Sequence, residues 1–155
     1  MPVEPWEGAA RVALALTALE AGLSYGHALQ AAGKRELGAA QLMHFQTRIL
    51  GPYKVGAAIP EVCAMAAGAV ATWKARQDPR AAMLASAAVV ADGAAWAVWA
   101  IGIQPLNKRL SVWSSNTTDE NAPADWESLR DRWHRLHAVR LVLLAAAAGA
   151  LAAMP

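Results

Sequence analysis

The chain has 155 residues, enough for one domain, and its apolar fraction of 56% exceeds the roughly 45–50% that soluble domains show. The formal net charge is only +2, and no basic run alternates with aromatic residues, which argues against a nucleic-acid-binding surface. The one cysteine, Cys63, lies in an apolar stretch, so no intrachain disulfide can form.

Four apolar stretches have about the length that a membrane helix needs, because a bilayer core of about 30 Å takes roughly 20 helical residues. We predict helices at about 9–32, 53–73, 81–103 and 125–154, with the apolar part of the last at 136–154. The third stretch contains one charge in 23 residues. We therefore predict an all-α, integral membrane four-helix bundle that forms a single domain over residues 1–155. The alternative is a soluble, alanine-rich four-helix bundle, since the helical period is the same in both.

The connections are predicted from turn residues and charge. Helix 1 should end near Gly33, and residues 37–52, closed by Gly51-Pro52, should form a short connection before helix 2. Pro105 should end helix 3, because a proline removes a helical hydrogen bond. A polar connection over 105–124 should follow. Residues 1–10 lack the positive charges of a signal peptide, so helix 1 is expected to stay in the mature protein as an anchor.

Lysine and arginine are unevenly distributed between the two ends of the predicted bundle. Four lie on the side of the termini and the 74–80 turn, and ten lie on the other side. Because basic loops favour the cytoplasm, we predict that loops 33–53 and 105–135 are cytoplasmic and that the membrane is a bacterial inner membrane. Tryptophans are expected in two interfacial belts, one formed by Trp6 and Trp73 and the other by Trp113, Trp126 and Trp133.

Three carboxylates, Glu20, Glu61 and Asp92, fall near the middle of their predicted helices. An ionisable group at that depth is costly and usually faces the bundle interior, where it is paired or functional. Helical spacing places His27 on the face of Glu20, and it places Trp96 and Trp99 on the face of Asp92.

On the last helix, one stripe of residues spaced three and four apart runs from polar sequence into the apolar segment; its members are Trp126, Arg130, Trp133, His137 and Arg140. Together the stripes predict a cavity with aromatic walls that opens toward the cytoplasmic loops and suits a planar aromatic ligand. The candidate substrate-binding residues are Glu20, His27, Asp92, Trp96, Trp99 and Trp133. Ordinary packing is the alternative for Trp96 and Trp99, and an ion pair with Arg140 is the alternative for Glu20. Histidines and carboxylates could also hold a metal, but the Glu-x-x-His pair of di-iron bundles is absent from the sequence.

Several segments resemble the anthrone oxygenase-like membrane proteins, long grouped as the domain of unknown function DUF1772. The segments are Gly22 to Gly26, the surroundings of Gln46, Pro105 to Leu110, and Trp126 through Trp133 to His137 and Arg140. The resemblance spans nearly the whole chain. It implies a four-span helical bundle that oxidises an anthrone to an anthraquinone with molecular oxygen and without a dedicated organic cofactor.

The resemblance also implies roles for individual residues, because an anthrone has an acidic methylene whose enolate can pass an electron to oxygen. His137 would be the base, and Arg140 and Asn107 would stabilise the oxyanion. Glu61 or Glu20 would orient the histidine or relay its proton. Snorkelling of His137 and Arg140 to the interface is the structural alternative.

The leading functional hypothesis is therefore a monooxygenase that acts on a hydrophobic aromatic substrate and needs no bound cofactor. Its partners would be that small molecule, O2 and the lipid bilayer, with no nucleic acid, and a homo-oligomer would be compatible with the sequence. The alternative is a non-catalytic membrane subunit, or a membrane protein that binds a metal or haem in its polar core.

Overall fold

The computed structural model describes residues 4–111 and 117–155, with the side chains of 49–55 and 111 left aside. Every regular element within those ranges is helical, which confirms the predicted all-α class. The elements are α1 (Glu7–Arg35), α2 (Ala39–Lys74), α3 (Pro79–Ala97), a π-helical segment (Val98–Ile103), α4 (Gln104–Ser111) and α5 (Trp126–Ala152).

Four of the helical stretches are long and apolar enough to cross a membrane: Glu7–Arg35, Gly56–Lys74, Pro79–Leu110 and Trp126–Ala152. Each of these stretches has large apolar side chains that are exposed on the outside of the bundle. Examples are Leu29, Val70, Met83, Val90 and Val142. A contiguous apolar exterior of this kind suits lipid rather than water. The chain is thus an integral membrane protein by the length and composition of its helices.

The helices form a ring in which each one packs against two neighbours. The α1 helix packs on α2 and α5, and α3 packs on the same two helices, so α1 lies opposite α3 and α2 lies opposite α5. Polar bonds cross both diagonals in the interior. Thr17 of α1 donates to Asp92 Oδ2 of α3 over 3.1 Å, and Arg140 of α5 donates to Glu61 of α2.

The two ends of the bundle have different cores. At the end near the chain termini the buried residues are mostly alanines, such as Ala71, Ala81 and Ala85. Small side chains let helix backbones approach closely in a membrane. At the opposite end the core contains large side chains, including Leu42, Ile103, Leu106, Leu129 and Trp133. Because the distance between helix axes depends on the side chains at the contact, we call this second end, with its large side chains, the wide end of the bundle.

The α2 helix begins much earlier than the sequence predicts. Residues from Ala39 onward are helical, and the helix continues through Gly51, Pro52 and Pro60, so the connection expected over 37–52 is wrong for most of its length. The physical reason is a buried stripe at helical spacing, which consists of Ala39, Leu42, Met43 and Gln46. Packing along this stripe offsets the free-energy cost of the backbone hydrogen bond that each proline removes.

Pro105 does not end the third span. The helix widens into the π-helical segment, in which the Gln104 N–H bonds to the carbonyl of Trp99 five residues earlier, and it resumes as α4. A π turn re-routes backbone bonds next to a proline, which lacks an N–H. The predicted polar connection over 105–124 therefore begins as helix, and residues 112–116 of it lie outside the described ranges.

The tryptophans do not form the two predicted belts. Trp73 is exposed as expected, but Trp6 and Trp133 are 4% and 1% exposed and pack in the two cores. Trp113 lies outside the described residues. Trp133 packs among the large side chains of one core, and Trp6 packs against the small alanines of the other. In both positions the burial of a large ring outweighs an interfacial position.

A contact between two connections closes the polar end of the bundle. Asp119, which precedes α5, accepts a hydrogen bond from the Ala40 N–H at the start of α2, with an oxygen–nitrogen distance of 3.0 Å. Gly38 makes this approach possible, because a Cβ there would lie 2.9 Å from Asp119 Oδ1. The connection before α5 thereby supplies a cap that α2 lacks in its own sequence.

Candidate functional site

A cavity of about 110 Å³ lies inside the wide end of the bundle, between α1, α2, the end of α3, the π-helical segment, α4 and α5. Its walls combine aromatic, apolar and polar side chains. They are His27, Gln46, Ala57, Ala58, Glu61, Val62, Trp96, Trp99, Ile103, Asn107, Trp133, His137 and Arg140. A largely apolar pocket with a few convergent polar groups is the usual form of a small-molecule site.

One wall of the cavity is formed by a buried charge cluster. Arg140 Nη2 donates to Glu20 Oε2 over 3.0 Å and to Glu61 Oε1, so one guanidinium joins carboxylates from α1 and α2. Glu20 is 1% exposed and Arg140 5% exposed. Charges that are buried this far are tolerated when they are paired and hydrogen-bonded. The cluster fixes Arg140 at the inner end of the cavity and ties three helices together.

A second wall is a group of three rings that pack against one another in tilted and edge-to-face arrangements. The centroid of the Trp133 ring lies 4.9 Å from that of His27 and 4.1 Å from that of His137, and the two imidazole centroids are 4.3 Å apart. The Trp133 indole N–H donates to Asn107 Oδ1 over 2.9 Å. Because that oxygen is occupied, the Asn107 amide presents its NH2 group as a donor. The bond fixes the plane of Trp133 and the orientation of Asn107 together.

His137 differs from the other polar residues of the cavity wall. It is 5% exposed, and neither of its ring nitrogens has a hydrogen-bond partner among the residues that the structure describes. Buried polar atoms are nearly always bonded, and an exception usually has a functional explanation or lacks a partner molecule. The imidazole is thus available to bond with a molecule in the cavity.

The cavity is backed by a buried lysine. Lys34, at the end of α1, is 4% exposed, and its ammonium lies 4.9 Å from the ring centroids of both Phe45 and Trp133. A cation over two aromatic faces is attracted by their electron density. Lys34 therefore adds positive charge behind the Trp133 ring without entering the cavity.

The sequence-predicted residues fall into two groups. All four candidate catalytic residues, His137, Arg140, Asn107 and Glu61, line the cavity, as do the predicted contacts His27, Trp96, Trp99 and Trp133. Glu20 and Asp92 lie outside the lining. Glu20 is bonded to Arg140 behind the wall, and Asp92 is bonded to Thr17. Their polar groups hold helices together, and their predicted contact with a substrate stays a prediction.

Among the polar residues of the site, the sequence analysis missed Gln46 and Lys34; its candidate residues also omit the apolar lining residues, which are Ala57, Ala58, Val62 and Ile103. Gln46 was placed in a connection, but it is buried on α2 eleven residues before Ala57, a spacing of about three helical turns. Treating 39–74 as one helix would have put it on the cavity face. Lys34 directly follows the predicted end of helix 1 near Gly33, and nothing in its local sequence indicates burial.

The described residues contain no group of three or more histidine, cysteine, aspartate or glutamate side chains arranged to hold a metal ion. The two acids beside the cavity are engaged by Arg140, and the rings of His27, His137 and Trp133 pack against one another at tilted angles. Rings and hydrogen-bonding groups thus make up the polar part of the cavity wall.

Comparison with known families identifies the chain. The family model described as Anthrone oxygenase matches residues 51–150, which is 100 of the 155 residues. No curated protein and no solved structure matches the chain. The match covers α2 from Gly51 onward, α3, the π-helical segment, α4 and most of α5, which supply most of the cavity lining. The chain belongs to the anthrone oxygenase family, and the resemblance found in the sequence is confirmed.

Proposed function

We propose that this member of the anthrone oxygenase family is a membrane monooxygenase that oxidises a planar, hydrophobic, anthrone-like substrate with O2. The observation that supports the proposal best is His137, a buried imidazole without a bonded partner in an aromatic cavity. Flat rings from Trp96, Trp99 and Trp133 suit a fused-ring substrate. The proposal requires no metal or organic cofactor, because the substrate itself can reduce oxygen once it is deprotonated.

The reaction starts with transfer of a proton from the acidic methylene of the substrate to His137. A positioned base of this kind accelerates proton transfer. The Asn107 NH2 group donates to the developing enolate oxygen, and the positive charge of Arg140, one helical turn from His137, favours the anionic form. Glu61 holds Arg140 in place from across the bundle.

The enolate then passes one electron to O2, and the two radicals combine to form a peroxide at the former methylene carbon. The peroxide anion takes back the proton from His137, and loss of water from the resulting hydroperoxide leaves a carbonyl group. Anthrone and O2 thus give anthraquinone and water, with one oxygen atom of O2 in each product. The apolar walls keep bulk water from the carbanion, which would otherwise be protonated again.

The test is conversion of anthrone by the full-length protein in lipid vesicles under 18O2. The expected result is anthraquinone that contains one 18O atom and forms faster than in vesicles without protein, where anthrone oxidises spontaneously. A rate equal to that background would contradict the proposal. A visible absorption band or stoichiometric metal in the purified protein would instead favour the metal- or haem-binding alternative.

The orientation in the membrane is part of the proposal. Most of the lysine and arginine residues lie at the cavity end of the bundle, in the helix ends and connections there. Because basic loops favour the cytoplasm, we place this end in the cytoplasm of a bacterial cell. The cavity then lies in the cytoplasmic half of the inner membrane.

A further inference from the structure

We infer that the substrate enters the cavity sideways from the lipid, through an opening between α2 and the end of α3. This inference rests on the proposed function for the identity of the substrate. Two side chains line the cavity and also face outward: Val62 on α2 is 59% exposed, and Trp96 on α3 is 45% exposed. Most of the other large lining residues are buried, Ile103 completely.

The rim of this opening is apolar. Ile59 on α2 and Ile101 on the π-helical segment flank it and are 63% and 80% exposed. Between Gly56 and Thr72 the sequence contains one charged residue, Glu61, and it is buried against Arg140. A hydrophobic molecule dissolved in the bilayer therefore reaches the rim without passing an exposed charge.

Small residues on α2 and the packing of the π-helical segment account for the opening. Ala57 and Ala58 on α2 line the cavity with short side chains. The π-helical segment packs mainly on α5, α4 and α3 rather than on α2. Because the two walls of the opening are not packed tightly together, a flat ring system can pass between them.

The polar end of the bundle is more tightly closed than the opening between α2 and the end of α3. A packed layer of large side chains separates the cavity from that end within the described residues; it includes Leu42, Met43, Ile103, Leu106 and Trp133, all at most 4% exposed. Lys34 covers the outer face of Trp133. Passage from water would require this layer to separate, at the cost of its buried apolar contacts. The lateral opening is therefore the route with the least rearrangement.

The first test uses Val62→Trp, which fills the opening without touching the proton-transferring groups, and Val70→Trp as its control. Val70 is exposed on the same helix but does not line the cavity. With anthrone in vesicles, Val62→Trp should lower kcat/KM about tenfold because association slows when access is restricted. Val70→Trp should match the parent protein. A Val62→Trp variant with the parent kcat/KM would overturn lateral entry, while turnover by the parent would still support the oxygenase.

The second test does not depend on turnover. In a Cys63→Ala background, Val62→Cys and Val70→Cys are treated in vesicles with a bilayer-soluble maleimide or with a membrane-impermeant, negatively charged thiol reagent added to both sides. Lateral entry predicts that the bilayer-soluble reagent labels both positions and that the impermeant reagent labels neither. Labelling of Val62→Cys, but not Val70→Cys, by the impermeant reagent would mean that the cavity opens to water and would overturn the inference, whether or not anthrone is oxidised.

Discussion

The indole of Trp133 and the amide of Asn107 are joined across the wide end of the bundle by a hydrogen bond of 2.9 Å. The two residues lie 26 positions apart in sequence, on α5 and on the short helix that follows the π-helical segment. Both line the cavity. This bond sets the orientation of one aromatic wall and of one hydrogen-bond donor at the same time.

Removal of the Asn107 acceptor should destabilise the protein. Asn107→Leu leaves the Trp133 N–H buried without a partner, which costs about 1–3 kcal/mol of unfolding free energy. Trp133→Phe removes the donor as well, so the loss caused by Asn107→Leu should be smaller in that background. Unfolding of the four proteins in detergent micelles measures this coupling. Equal losses in both backgrounds would show that the bond contributes nothing.

Arg140 should be more important for stability than any exposed arginine on α5. Arg140→Met leaves Glu20 and Glu61 buried without their shared cation, and breaking a buried pair in this way costs about 3–5 kcal/mol. Arg135→Met, an exposed change on the same helix, is the control and should be nearly neutral. If the two variants unfold at the same denaturant concentration, the charge cluster does not stabilise the bundle.

Glu61→Gln should fold but should lower the oxidation rate, because the neutral amide still reaches Arg140 yet no longer holds it by charge. Expression and unfolding in detergent should remain close to those of the parent protein. Anthrone turnover per folded molecule is the measurement. A Glu61→Leu variant that is both more stable and fully active would limit Glu61 to a structural role.

Reporter fusions can establish the topology. Fusions at Gln77 and at Thr117 should report opposite sides of the membrane, with Thr117 in the cytoplasm, because these two positions lie at opposite ends of the bundle. A result with both reporters on one side would refute the four-span arrangement. Opposite sides in the reverse order would refute only the orientation.

The spans could be predicted from sequence because each has a long apolar stretch with buried positions at helical spacing. The start of α2 could not, since Gly51-Pro52 indicates a turn locally, and only packing against α1 and the end of the third span keeps the chain helical there. The continuation past Pro105 depends on the π-helical segment, for which the local sequence gives no clear signal.

Part of the candidate site could also be predicted from sequence, because helical spacing shows which residues share the interior face of a helix. Helical spacing correctly placed His137, Arg140 and Trp133 on one interior stripe, and all three line the cavity. Whether a buried acid faces that cavity depends on how the four helices are arranged around it. Asp92 faces Thr17 and Glu20 faces Arg140, and these pairings arise from the three-dimensional arrangement rather than from any local pattern.

The central claim is that His137 removes the proton that starts oxidation, and the most direct measurement compares it with His134. Both histidines are buried on α5, and neither has a hydrogen-bonded ring nitrogen among the described residues, but only His137 lines the cavity. Anthrone oxidation per folded protein, corrected for spontaneous oxidation, is measured for His137→Gln and His134→Gln in vesicles. His137→Gln should lower turnover by roughly 10²–10⁴-fold, the usual contribution of a positioned acid–base group, while His134→Gln should stay close to the parent protein. Near-parental turnover in His137→Gln would contradict base-initiated oxidation at this site.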